Sequence, residues 1–217
     1  MIDLHTHTFL SDGELCPAEL VQRAKSKGYR VLAITDHVDS SNLDLIVSRV
    51  AKFCQEVNSL IEGIKVVPGA ELTHIPPILI DRLARRARNE GAKIILVHGE
   101  TIVEPVPPGT NRAALKAEID ILAHPGLISE EEVNLARKRG IYLEISSRQG
   151  HSLTNGWVVK LARQIGANLI LNSDAHSVHD LISAEEAKKV LQGAGLSWEE
   201  IEKARRNSEK LLKERGI

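Results

Sequence analysis

A parallel α/β fold is predicted for this 217-residue chain from two features of its pattern. Seven short runs of aliphatic and β-branched residues alternate with amphipathic stretches. The apolar runs are nearly continuous, as expected for strands covered on both faces. Strands that alternate with helices are joined by right-handed crossovers, with the helices packed outside the sheet. Seven such units fit either a doubly wound sheet or a closed barrel, and periodicity leaves both open.

The elements follow in order. MIDLHT (1–6) is the first strand, and Pro17 followed by AELVQRAKSKG opens a helix with proline and ends it with glycine. YRVLAIT (29–35) is the second strand, and residues 41–63 form the longest helical pattern. IKVVPGAEL (64–72), AKIILVH (92–98) and IDILAH (119–124) are the next three strands. In SEEEVNLARKRG (129–140), Ser129 precedes Glu132 at capping-box spacing, and Ser183 and Glu186 repeat it. GIYLEIS (140–146) and ANLILNS (167–173) complete the strands. Gly28, Gly63, Gly91, Gly140 and Gly166 lie just before strands, where helices commonly end. The last stretch, 197–217, places Trp198, Ile201, Ala204, Ser208 and Leu211 on one helical stripe. It is expected to pack, with Glu199–Lys203, Glu202–Arg206 and Glu209–Lys213 pairing on its solvated face.

Composition narrows the function. The net charge is −1, which argues against a broad nucleic-acid or membrane-binding surface. Cys16 and Cys54 are too few for a disulfide framework. No apolar run is long enough for a membrane span, and the first residues lack signal-peptide character, so a cytoplasmic location is expected. No repeat, low-complexity segment or linker divides the chain, which is expected to be one domain.

Nine side chains at or just after strand ends carry the chemistry: His5, His7, Asp12, His37, Glu71, His98, His124, Asp174 and His176. Ligands bind at that end of barrels and open α/β sheets. His5 and His7 share a strand face at period 2, and Asp174 and His176 repeat that spacing. Taken singly, each has an ordinary reading: Asp12 in SDG as a turn residue, His37 as a strand-end histidine, Glu71 as a solvated charge. Together, six of the nine histidines end strands, joined by three carboxylates. That exceeds what one ion uses and suits two or three divalent ions of zinc, manganese or iron. Three such ions against three carboxylates leave a positive site, which calls for an anionic substrate such as a phosphate. His74, His151 and His179 are left as loop histidines.

The motifs DLHTHTFLSDG (3–13), ITDH (34–37), PGAE (68–71), VHGE (97–100), LAHPG (122–126) and NSDAH (172–176) resemble, in this order, those of the PHP (polymerase and histidinol phosphatase) superfamily. The resemblance covers about 2–176, and RRNSEKLL is similar to the family's closing helix. It implies a distorted (β/α)7 TIM-like barrel, with the metal-bearing part at about 1–176 and closing helices at about 183–217. It also implies a trinuclear centre. His5, His7, Glu71 and Asp174 would hold one ion. Glu71 would bridge to a second held by His98 and His124, and Asp12, His37 and His176 would hold the third. Some members have histidine where this chain has Asp12. The amidohydrolase superfamily also opens on His-x-His but lacks the later motifs.

What the resemblance implies is a metal-dependent phosphoesterase. Its catalytic water would be bound by metal held on His5, His7, Glu71, His98, His124 and Asp174, and no serine or cysteine nucleophile is needed. Asp36 is expected to orient a liganding imidazole. Arg148 is the candidate phosphate contact, and His151 the candidate proton donor to the leaving group. The loop 101–112, with Pro105, Pro107 and Pro108, is a candidate pocket wall. A phosphomonoesterase acting on a small phosphorylated metabolite, histidinol phosphate or a nucleotide, ranks first. A phosphodiesterase or exonuclease ranks second, since 3% aromatic content offers few stacking platforms. A non-catalytic barrel subunit ranks third.

Overall fold

In the computed structural model, which describes residues 1–217, the strands run in chain order around a ring. β1 (Ile2–Asp3) pairs with β2 (Val31–Ile34), which pairs with the first half of β4 (Lys65–Leu72). β3 (His37–Val38) resumes the line of β2 and pairs further along β4, with His37 opposite Glu71. β5 (Ile94–His98), β6 (Ile121–Ala123), β7 (Tyr142–Ser146) and β8 (Leu169–Asn172) follow, each parallel to its predecessor. All seven expected strands are present. The additional short strand β3 is the second one interrupted at Thr35 and Asp36, whose side chains bind the first loop instead.

Between β1 and β8 the ring closes without a full ladder. One parallel bridge joins Thr6 to Ala175. Side chains supply the rest: Leu4 N–H donates to Asn172 Oδ1 at 2.9 Å, and Ser173 N–H donates to Asp3 Oδ1 at 3.2 Å. This is why the first strand is shorter than its apolar run. The result is a nearly closed, distorted parallel barrel, and the doubly wound alternative is excluded because first and last strands meet.

The outer layer consists of α1 (Pro17–Ser26), α2 (Leu43–Asn58), α3 (Ile80–Asn89), α4 (Thr110–Ala114), α5 (Glu130–Arg139), α6 (Asn155–Ile165), α7 (Ala184–Gly193) and α8 (Trp198–Glu214). Ser129 and Ser183 form the expected capping boxes, and Ser197 with Glu200 adds a third. Each cap satisfies backbone N–H groups that a first helical turn leaves unpaired, contributing about 1 kcal/mol. Gly140 and Gly166 end α5 and α6 in the left-handed conformation that favours glycine.

Two apolar cores result. The larger lies between strands and helices and includes Val47, Leu83, Leu122 and Val159. The smaller fills the barrel with Ala33, Val67, Ile94, Leu96, Ile121, Tyr142 and Ile170, joined by Leu211 and Leu212 of α8. The last helix therefore packs, as its stripe predicts, but Trp198 is exposed and the three expected pairs do not form. Arg205 instead reaches both Glu202 and Glu209, and Lys210 pairs with Glu214. A guanidinium fork accommodates two carboxylates where one ammonium meets one. No helix is long and apolar enough to cross a membrane.

Candidate metal centre

Strand periodicity places the site. Val67, Ile94, Leu96 and Tyr142 fill the barrel interior, and side chains recur on one face every two residues. Two or four residues further on, the same inward face presents Glu71, His98 and Glu144 at the C-terminal rim, all buried. His5, His7, His124 and Asp174 join them from adjoining loops and are also buried. Asp12, His37 and His176 lie at the outer edge, in the wall of an open pocket of about 330 Å³.

Separations between donor atoms show what this arrangement holds. Two ligands each about 2.0–2.1 Å from one zinc ion lie about 3.4 Å apart at a tetrahedral angle and about 2.9 Å apart at a right angle. His5 Nε2 is 3.4 Å from Glu71 Oε2 and 3.5 Å from Asp174 Oδ1; His7 Nε2 is 3.6 and 3.2 Å from the same two atoms. His124 Nε2 is 3.5 Å from Glu71 Oε1 and 3.6 Å from Asp174 Oδ2. At the outer edge, Asp12 Oδ1 is 3.5 Å from His37 Nε2 and 3.2 Å from His176 Nε2. His5 Nε2, both ring nitrogens of His7, Glu71 Oε1 and His124 Nδ1 are buried without a hydrogen-bond partner. Unpaired polar atoms are costly in a protein interior, and divalent cations would satisfy one nitrogen of each ring together with the Glu71 oxygen. The clusters fit a multinuclear metal site.

Electrostatics agree with the geometry. Burial opposes charge on His5, but the Glu144, Asp174 and Glu71 carboxylates raise its pKa well above the ordinary value. Burial likewise opposes charge on His37, yet Glu71 and Asp12 push it up to about 10. Burial and the positive neighbour His37 lower His7 to about 3. The His151 and His98 imidazoles hold Glu104 well below the usual carboxylate range. Backbone conformation is also unusual here. The non-glycine residues with positive φ are His74 (52°), His124 (26°) and Asp174 (54°), and all three line the pocket. Such conformations cost about 1–3 kcal/mol each and mark sites held by their surroundings.

All nine residues of the expected set converge, although their spacing in sequence spans most of the chain. Arg148 also lines the pocket. His151, read as a loop histidine and candidate proton donor, is 3% exposed and stacks on His124 with ring centroids 4.0 Å apart. His74 lines the pocket as well, whereas His179 does not. Two carboxylates escaped the sequence reading. Glu144 sits 2.9 Å from His5 Nδ1 and fixes that ring. Its signal was available, since it follows inward Tyr142 at period 2. Glu104 lies in the proline-rich loop, where no periodicity points to it.

Asp36 corrects one expectation: its carboxylate does not orient an imidazole. It accepts from Thr8 N–H (2.7 Å), Thr8 Oγ1 (2.8 Å) and Ser11 Oγ (2.7 Å), and so holds the loop that carries Asp12. Ring orientation falls to Glu144 for His5, and to Thr73 and Glu71 for His37, whose Nδ1 is 2.6 and 2.7 Å from their oxygens. Asp36→Asn replaces an acceptor oxygen with a donor and is expected to weaken metal binding at Asp12 by several-fold, about 1 kcal/mol for one lost hydrogen bond. A metal titration superimposable on the wild type would contradict this.

The model of the PHP domain matches residues 3–118. The chain belongs to the PHP domain family. This PHP protein is 47% identical over 201 residues to an uncharacterized protein of Methanocaldococcus jannaschii, covering 92% of each chain. It is 26% identical over 231 residues to a probable phosphatase of Thermoanaerobacter sp., covering 91% of this chain and 87% of the relative. It is 28% identical over 205 residues to ribonuclease P protein component 3 of Methanosarcina mazei, covering 87% and 79%. Among solved structures, a chain of archaeal ribonuclease P with mature tRNA superposes with a TM-score of 0.74 at 18% identity, covering 99% of this chain and 91% of that one. Histidinol phosphate phosphatase from Lactococcus lactis, complexed with zinc, L-histidinol and phosphate, gives 0.62 at 16% identity, covering 90% and 94%. These two likenesses show a shared fold.

Proposed function

We propose that this PHP protein hydrolyses a small phosphomonoester at a centre of two or three divalent ions. The observation that carries the reading is the set of donor separations of 3.2–3.6 Å among His5, His7, His124, Glu71 and Asp174 and among Asp12, His37 and His176, beside an open pocket where His98 adjoins His124. His5, His7, Glu71 and Asp174 would hold one ion; Glu71, His98 and His124 a second; Asp12, His37 and His176 the third. Zinc, manganese and iron all suit imidazole mixed with carboxylate. When bound, such ions supply Lewis acidity toward phosphoryl oxygens and bring the pKa of water down toward neutrality.

The chain's own residues supply the rest. Glu144 holds the His5 ring so that its Nε2 faces the ion position, and Thr73 does the same for His37. Arg148 Nη1 donates to the Asp174 carbonyl at 3.2 Å and lies 2.7 Å from His176 Nδ1, which seats the guanidinium in the pocket wall. There it can donate to a phosphoryl oxygen. Arg148→Ala is expected to raise KM for a phosphomonoester about 10- to 100-fold, the equivalent of about 1.5–3 kcal/mol for a charged hydrogen bond. An unchanged KM would remove Arg148 from substrate binding. The likeness to the probable phosphatase of Thermoanaerobacter supports the same activity class.

A second reading has its own support: the 28% identity to ribonuclease P protein component 3 favours a role with RNA. The near-neutral charge provides little counterion release for RNA binding by the isolated chain. One experiment ranks the two. The protein is loaded with manganese or zinc and assayed on p-nitrophenyl phosphate and bis-p-nitrophenyl phosphate, with and without chelator. Chelator-sensitive preference for the monoester supports the phosphatase. Preference for the diester moves a nuclease to first place, and inactivity on both with metal bound favours the RNA-associated subunit.

A further inference from the structure

Glu104 is the most unusual carboxylate in the pocket. It sits on the loop 99–109 between β5 and α4, and it faces three imidazoles at once. Its Oε2 is 3.1 Å from His98 Nε2 and 3.2 Å from His74 Nε2, and its Oε1 is 3.3 Å from His151 Nε2. We propose that Glu104 and His151 join His98 and His124 as direct ligands of one metal ion, the carboxylate arriving on a loop outside the strand-end set. The inference rests on the metal reading of the site and adds two ligands to it.

Several observations converge on this assignment. Donor atoms of His98, His124 and His151 lie within 4.8 Å of one another, as do those of His74, His98 and Glu104. The separations to Glu104 fall within the range two ligands of one ion adopt. His98, His124 and His151 are 2, 2 and 3% exposed, so water does not compete freely for their nitrogens. The remaining nitrogen is occupied in two of them: His98 Nδ1 is 3.1 Å from the Gly99 carbonyl, and His151 Nδ1 is 2.8 Å from Thr101 Oγ1. With Nδ1–H donating to those oxygens, each ring turns its Nε2 lone pair toward Glu104, the tautomer a ligating histidine needs.

The loop is built to hold that carboxylate. Glu100 N–H donates to Asn111 Oδ1 and Asn111 N–H donates to Glu100 Oε1, both at 2.9 Å, pinning the loop's two ends together. Val103 lies over Gly150, where a Cβ would approach Val103 Cγ2 to 3.3 Å. Pro105 restricts the backbone immediately after Glu104. His74, held at φ 52°, contacts the same carboxylate oxygen as His98.

The test is metal binding, read without turnover. Metal-free wild type, E104Q and E104D are dialysed against buffered free zinc, and bound metal per chain is measured. Cobalt-loaded samples are compared by visible absorption. E104Q is expected to bind one equivalent at least about 10-fold more weakly, with the other equivalents unchanged and the cobalt spectrum altered. E104D is expected to fall between. Glu104 is 36% exposed, and melting of the metal-free forms checks that these variants fold. Wild type that takes up metal while E104Q superimposes on it would overturn this inference and leave the metal reading standing. Wild type that binds no ion would overturn both.

Discussion

Glu71→Gln is expected to reduce the proposed chelator-sensitive phosphatase activity by at least about 10²–10³-fold, the scale seen when one charge-stabilising group is removed from an active site. Glu71 is fully buried and reaches in every direction. One oxygen is 3.4 Å from His5 Nε2, 3.6 Å from His7 Nε2 and 2.7 Å from His37 Nδ1; the other is 3.5 Å from His124 Nε2. It therefore touches imidazoles from all three proposed ion positions. Glutamine preserves the shape but removes the negative charge and turns one acceptor into a donor. Metal per chain should fall by at least one equivalent alongside activity. A variant within about threefold of wild type, with full metal content, would refute a centre organised around this carboxylate.

Metal removal is expected to have the largest effect on stability. Each ion present at about 100 times its Kd stabilises the folded state by about 2.7 kcal/mol, provided the unfolded chain does not bind it. For a chain of this length about 1 kcal/mol moves Tm by about 2–4 °C, so each ion should raise it by about 5–11 °C. The gain should grow with pH. Carboxylates raise the pKa of His5, His37 and His98 against the effect of burial, so an ion must displace protons that these rings hold more firmly as pH falls. Calorimetry with chelator and with added manganese, at pH 6 and pH 8, measures both effects. Identical melting with and without metal at both pH values would contradict the reading of the orphaned buried nitrogens as ligands.

The parts of the site legible in sequence share one property: each lies at the end of an expected strand or in the loop just after it. A histidine or carboxylate that closes an apolar run is conspicuous because its burial would be costly without a partner, and this exposed Glu71, His98 and His124. The HTH and SDAH pairs were legible through period 2. Glu144 followed the same rule but was masked by a run that reads as an ordinary buried strand. Asp36 was assigned by adjacency to His37, yet alternation along the chain turns neighbouring side chains apart, and its carboxylate went to the Thr8–Ser11 loop.

The seven apolar strands, their alternation with helices and the capping boxes at Ser129 and Ser183 were determined by the sequence alone, because these depend on local periodicity and on caps within a few residues. Tertiary structure decided how the ring closes, through the bridge from Thr6 to Ala175 and the side chains of Asp3 and Asn172. It also decided the company of Glu104 and His151, which approach to 3.3 Å from positions 47 residues apart, one in a loop and one opening a single 3-10 turn, neither marked by periodicity. Local patterns report which face a side chain takes; only closure of the barrel sets which other loop stands opposite it.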